Sequence, residues 1–164
     1  MNVACNTKET RRIRAKVCEP LVGEVLEIGF GTGLNVPHLP LSVGRLLAVD
    51  PLQRGRDLAG ARLAESHVVV DFVGLDGQSL ELEDDSVDAA LSTWTLCTVP
   101  DARAVVHEIG RVLRPGGTFT SPNTAGHPTT RSRSGRTAST ACSNVWRVAA
   151  TCTETSRRSS RTVA

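Results

Sequence analysis

Glu27, Gly29, Gly31 and Gly33 fall at alternate positions in the stretch Glu27-Ile28-Gly29-Phe30-Gly31-Thr32-Gly33, and a second acid, Asp50, closes the next apolar run. Glycines at that spacing let a backbone turn sharply and lie against a ligand where any Cβ would intrude. An acid one strand later is placed to accept hydrogen bonds from ribose hydroxyls, one for each carboxylate oxygen. Spacing separates two chemistries for such a loop. The dinucleotide fingerprint is G-x-G-x-x-G and sets a pyrophosphate on a helix N-terminus. Here the pattern is acid-x-G-x-G-x-G. An acid two residues before the first glycine repels a pyrophosphate and suits a ligand that carries an ammonium and a sulfonium.

Further landmarks come in a fixed order. After Val25-Leu26-Glu27-Ile28-Gly29 come Leu47-Ala48-Val49-Asp50 and Gly74-Leu75-Asp76-Gly77-Gln78, then Val87-Asp88-Ala89-Ala90-Leu91-Ser92-Thr93-Trp94 and Arg111-Val112-Leu113-Arg114-Pro115-Gly116-Gly117. Over residues 20–120 this succession resembles the class I S-adenosylmethionine-dependent methyltransferases, in particular the small-molecule methyltransferase type 11 group. The resemblance implies S-adenosylmethionine as cofactor and a small-molecule or lipid-like methyl acceptor, with no nucleic acid partner. It implies cofactor binding by Glu27, Gly29, Phe30, Gly31, Gly33, Asp50, Leu52, Asp76, Gly77, Gln78 and Thr93, with Trp94 on the acceptor side. Glu27 would meet the ammonium, Asp50 the ribose, and the loop at Asp76 the adenine edge. Many members carry Asp-Ala-Glu at that loop, so Gly77-Gln78 keeps a backbone contact and loses a carboxylate.

Methyl transfer from a sulfonium is an in-line displacement at an activated carbon, and the protein contributes chiefly by alignment and exclusion of water. No nucleophilic triad or metal-spaced cluster stands out, and no residue is assigned as a general base. Several side chains carry a second reading: Leu52 and Trp94 as core residues, Cys97 as a packed thiol, His107 as a surface histidine, and Asp84-Asp85 as a solvated turn. His38 lies close after the glycine loop without a clear catalytic role.

The 164 residues suffice for one domain with a sizeable core. No run of about 18 apolar residues occurs, which argues against a spanning helix, and the first six residues lack a signal-peptide stretch. A cytoplasmic location is expected; the oligomeric state is open. The five cysteines form no C-x-x-C, so reduced thiols are expected. A net charge of +2 conceals a division: residues 1–120 carry −4, and residues 121–164 carry +6.

The glycine loop needs a scaffold that brings strand ends together. Alternating apolar runs and helical patterns predict a doubly wound, Rossmann-like α/β parallel sheet. A charged helix is expected over 7–19 with Thr7 as its cap, then strands over 24–28, 45–49, 67–73, 87–92 and from 118. Helices are expected from about Gly33, broken by Pro37 and Pro40, then from Pro51 to Glu65, and from an Asp101 cap to Leu113. The organisation reads as an N-terminal helix (1–20), a cofactor-binding core (21–120) and a tail (121–164) in which 17 of 44 residues are Ser or Thr. Three accounts of the tail compete: a disordered linker, a basic nucleic-acid segment, and a shifted reading frame. With GC-rich codons, residues 120–128 read two bases on become FAEHGRAP, which resembles the family's fifth strand and the segment after it. The chain is therefore expected to be truncated or frame-shifted after about residue 120, without strands six and seven, and to be weakly active or inactive. The rival functions are an NAD-dependent oxidoreductase and a non-catalytic binding protein acting through the basic tail.

Overall fold

A computed structural model describes residues 6–122 of the chain. Five strands form one parallel sheet: β1 (Gly23–Ile28), β2 (Val43–Val49), β3 (Val69–Gly74), β4 (Val87–Ser92) and β5 (Leu113–Thr120). Their order is β3-β2-β1-β4-β5. Three helices accompany them: α1 (Lys8–Cys18), α2 (Gln53–Ala64) and α3 (Ala102–Val112). This is the expected Rossmann-like sheet. The chain runs outward from β1 on one side and from β4 on the other, so a crevice opens where the direction of progression reverses, between the carboxyl ends of β1 and β4.

Strand side chains alternate between two faces, and the core divides accordingly. Val25, Leu46, Ala48, Ala89 and Leu91 point to the side covered by Val17, Cys18 and Leu21 at the end of α1, with Val36 and Ala59 of α2. Leu26, Ile28, Leu47, Val49 and Ala90 point to the other side, where α3 presents Val105, Ile109 and Val112 at helical spacing. Glu27 therefore shares the face of Val25, toward α1. That assignment comes from a period of two, and it decides what the carboxylate can meet.

The caps hold where sequence places them. Thr7 Oγ1 accepts from the Thr10 N–H at 3.2 Å, and Asp101 accepts from the N–H groups of Arg103 and Ala104 at 2.9 and 3.1 Å. Two expectations need correction. The helix after Gly33 is reduced to one 3-10 turn, Val36–His38, because Pro37 and Pro40 withhold the donors a longer helix requires. The third helix stops at Val112 and the fifth strand starts at Leu113, ahead of the expected Thr118. Leu113 pairs with Val87 and Thr118 with Ala89, so residues 114–117 are an irregular excursion within β5, with Gly116 at φ 85°. The tail, its seven arginines, and any strands six and seven lie outside the described residues.

The long connection from β3 to β4 is tied down by one arginine. Arg111 donates to Glu108, to Asp84 Oδ1 (2.7 Å) and to the carbonyls of Leu80 (3.0 Å) and Leu82 (2.8 Å). Glu108 in turn accepts from the Leu80 N–H at 3.0 Å. Asp84 is thus an ion-pair partner at the surface as well as a turn residue. The network pins the connection to α3 and so fixes the end of the segment that begins with Asp76.

Candidate cofactor-binding site

The glycine loop leaves β1 at Ile28 with Gly29 at φ 82°, a left-handed conformation that side chains rarely adopt. A Cβ at Gly29 would lie 1.8 Å from Thr95 Oγ1, so the loop fits against the end of β4 only with glycine there. Gly31 and Gly33 also have positive φ, at 57° and 70°. A Cβ built at Gly31 meets nothing within 4 Å, which leaves a cradle open above the loop. From the other side, Gly55 of α2 brings that helix so close that its own Cβ would stand 2.3 Å from the Gly31 carbonyl oxygen. Phe30 turns inward beneath the loop, buried and edge-on to Phe72 at 5.1 Å, so its backbone alone faces the cradle.

Asp50 braces the same loop. Its Oδ2 accepts from the Gly31 N–H at 2.7 Å and its Oδ1 from the Leu52 N–H at 2.8 Å. Each carboxylate oxygen has a second lone pair for another donor. Leu52 is 65% exposed beside it, which overturns the reading of Leu52 as a core side chain.

Glu27 is wholly buried. Oε1 accepts from Asn35 Nδ2 at 2.6 Å, whereas Oε2 has no hydrogen-bond partner. Burial pushes its carboxyl up to about 8, with the negative Asp50 adding to the rise and Asn35 and the nearby Arg14 charge opposing it. A buried carboxyl oxygen without a donor is costly in a folded chain and calls for one from outside.

Arg14 was not legible as a site residue. It stands on α1 beside Val17 and Cys18, at spacings of three and four, and is 6% exposed. A basic residue on the apolar stripe of a helix was the available signal. Arg14 Nη1 donates to Asn35 Oδ1 at 2.7 Å and to Thr93 Oγ1 at 3.0 Å, and the guanidinium lies over the Trp94 ring, 4.6 Å from its centre. Thr93 Oγ1 also accepts from Asn35 Nδ2 at 2.9 Å. Asn35 was missed too, because the turn that holds it was expected to be helical. Trp94 is half-buried at φ 55°, in the crevice rather than in the core.

The remaining expected residues sit at the end of β3 and beyond. Asp76 accepts from the Gln78 backbone N–H at 2.8 Å and from the Gln78 amide, while Gln78 Oε1 accepts from the Asp101 N–H at 3.0 Å. Gly77 is buried, and a Cβ there would press within 2.9 Å of Ile28 Cγ2. The loop is therefore locked to both β1 and α3. Cys97 is exposed, which corrects its reading as a packed thiol; Cys18 is the buried one, its thiol pushed up to about 12 by burial and the adjacent Glu27. His107 is a surface side chain, as expected. A shallow depression over Lys8, Arg11, Arg12 and Ala15 lies on the outer side of α1 and includes none of these residues. Among the described residues no group of His, Cys, Asp and Glu is arranged to hold a metal ion, and no helix is long and apolar enough to cross a membrane.

Comparison with known proteins agrees with the fold. The methyltransferase domain family matches residues 26–121, more than half of the chain. The chain belongs to that family, the class I S-adenosylmethionine-dependent methyltransferases. It is similar to thiol S-methyltransferase TMT1A of Homo sapiens, with 35% identity over 98 residues covering 58% of this chain and 40% of that protein. Similarity to demethylmenaquinone methyltransferase of Clavibacter sepedonicus is 32% over 113 residues, 68% of this chain and 46% of that protein. In fold it matches the YcgJ protein from Bacillus subtilis at a TM-score of 0.59 and 24% identity, over 70% of this chain and 50% of the other. The chain thus spans less than half the length of these two curated relatives.

Proposed function

We propose that this chain binds S-adenosylmethionine in the crevice between the ends of β1 and β4, the cofactor for methyl transfer to a small-molecule or lipid-like acceptor, and that its own turnover is weak or absent. The observation that carries the reading is the unpartnered Oε2 of buried Glu27, next to a glycine cradle with room at Gly31 and a braced carboxylate at Asp50. An ammonium donor satisfies that oxygen, and ribose hydroxyls suit the remaining lone pairs of Asp50. Backbone at Gly29, Phe30, Gly31 and Gly33 approaches the ligand. Exposed Leu52 covers an adenine face, Asp76, Gly77 and Gln78 read the adenine edge, and Thr93 lines the amino acid side. The cofactor supplies a methyl carbon activated by positive sulfur. The chain orients it, keeps water from it, and offers Trp94 as a wall against which an acceptor lies.

The relatives' names supply the range of acceptors: a thiol, a demethylmenaquinone and phosphatidylethanolamine, all small or lipid-like molecules. Calorimetric titration of the full chain with S-adenosylhomocysteine and, separately, with NAD tests the cofactor. Binding of S-adenosylhomocysteine at micromolar or better affinity, with none for NAD, is expected. Binding of NAD alone refutes the reading, since the acid before the loop disfavours a pyrophosphate.

A further inference from the structure

We propose that binding of S-adenosylmethionine expels one proton from the site, released from Glu27 Oε2 as the cofactor's ammonium takes its place. This rests on the cofactor reading above and adds the change of protonation that the geometry requires. A guanidinium carries only donors, so the 2.7 Å contact from Arg14 Nη1 identifies the Asn35 atom facing it as the oxygen. Asn35 Nδ2 must then face Glu27, and Glu27 Oε1 accepts from it at 2.6 Å. Oε1 is thereby committed as an acceptor. A proton on this carboxyl accordingly belongs on Oε2, the buried oxygen without a hydrogen-bond partner and the one offered to a ligand.

Removal from water favours the neutral acid, and the groups around Glu27 do not reverse that preference. Arg14 on α1 favours the carboxylate, Asp50 at the end of β2 favours the acid, and burial outweighs both, raising the carboxyl to about 8. The Cys18 thiol on α1, pushed up to about 12, adds no charge, and His38 on the 3-10 turn holds its proton less tightly through burial and the Arg14 and Arg11 charges. Asn35 and Thr93 complete the surroundings as neutral side chains. An incoming ammonium has three donors and no acceptor. Against an Oε2 hydroxyl it sets donor to donor, whereas against a bare Oε2 it makes a charge-assisted hydrogen bond. The Oε2–H bond therefore breaks, its electron pair stays on the oxygen, and the proton passes to solvent. A bound neutral amine accepting from the Oε2 hydroxyl gives the same balance, because the ligand leaves water as an ammonium.

Calorimetric titration of the full chain at pH 6.5 in phosphate, PIPES and imidazole, buffers of different ionisation enthalpy, counts the protons exchanged. The probes are S-adenosylhomocysteine and 5′-methylthioadenosine, which lacks the amino acid end. About one proton should be released per S-adenosylhomocysteine bound and about none per 5′-methylthioadenosine. Affinity for S-adenosylhomocysteine alone should rise about tenfold per pH unit from pH 6 to 7.5 and level off past about 8. In Glu27→Gln the release and the pH dependence should both vanish, with a loss of about tenfold or more in affinity for S-adenosylhomocysteine. If that variant fails to fold or to bind, the two probes on the unmodified chain still decide. Binding of S-adenosylhomocysteine without proton release, equal release with both probes, or release retained in Glu27→Gln would overturn the proton assignment and leave the cofactor reading standing. Failure of both probes to bind removes the cofactor reading and this inference with it.

Discussion

Glu27→Gln should make the fold more stable at alkaline pH, although it removes a charged group from the candidate site. Glutamine has the shape of a neutral glutamic acid and keeps an oxygen for the Asn35 amide, 2.6 Å from Oε1 in the native chain. The Glu27 carboxyl is raised from an ordinary 4.5 to about 8, with burial as the main cause. A folded value above the unfolded one means that the native state holds the proton more tightly. Its contribution is therefore complete below pH 4.5, declines as the unfolded chain ionises, and is lost once pH passes about 8. Each pH unit in that window is worth about 1.4 kcal/mol, so stability should fall by about 4 kcal/mol between pH 5 and pH 8 relative to the glutamine variant, which has nothing to titrate there. Urea unfolding of both proteins at pH 5, 6.5, 8 and 9, followed by far-ultraviolet circular dichroism, measures the divergence. Curves that stay parallel from pH 5 to pH 9 would refute the reasoning, for they would mean that Glu27 is ionised in the fold at every pH, held by Arg14 across Asn35.

Three further outcomes concern stability and a fourth concerns binding. Arg111→Ala strips donors from Glu108, Asp84 and two carbonyls and should cost about 2 kcal/mol in denaturant unfolding, whereas the exposed Arg103→Ala should cost under about 0.5 kcal/mol. Glu108 is held down at about 2 by Arg111 and the Leu80 N–H, so its stabilisation is present above its ordinary 4.5 and fades as pH falls toward 2; a Glu108→Gln variant should flatten the acid limb of the stability profile. Gly29→Ala demands a side chain at φ 82° and 1.8 Å from Thr95 Oγ1, and a loss of about 2 kcal/mol or more should appear as a lowered thermal midpoint; an unchanged midpoint contradicts the close fit of loop and strand. Asp50→Asn sets an amide against one of the two backbone N–H groups that Asp50 accepts from. It should weaken S-adenosylhomocysteine and 5′-methylthioadenosine alike by about tenfold or more, because both retain the ribose.

Local pattern made much of this protein legible. The caps at Thr7 and Asp101 depend on a side chain and the N–H groups two or three residues ahead, so sequence spacing suffices to place them. The parallel sheet comes from apolar runs separated by helical lengths, and the glycine loop from residues without a Cβ. The short 3-10 turn was only half legible: two prolines signalled an interruption but not how little helix would survive between them.

What sequence alone determined was chemistry along the chain: a carboxylate, a loop of glycines, a second carboxylate one strand later, and a sheet to carry them. Only the tertiary structure decided which other groups meet that chemistry. Arg14 reaches the crevice because Val17 and Cys18 bury one stripe of α1 against the face of the sheet that also carries Glu27, 13 residues further along the chain. Neither partner's local pattern encodes that encounter. The protonation of Glu27 is likewise a property of the closed core, since it is the removal of water by several distant segments at once, and no neighbour in sequence, that makes the charged form unfavourable.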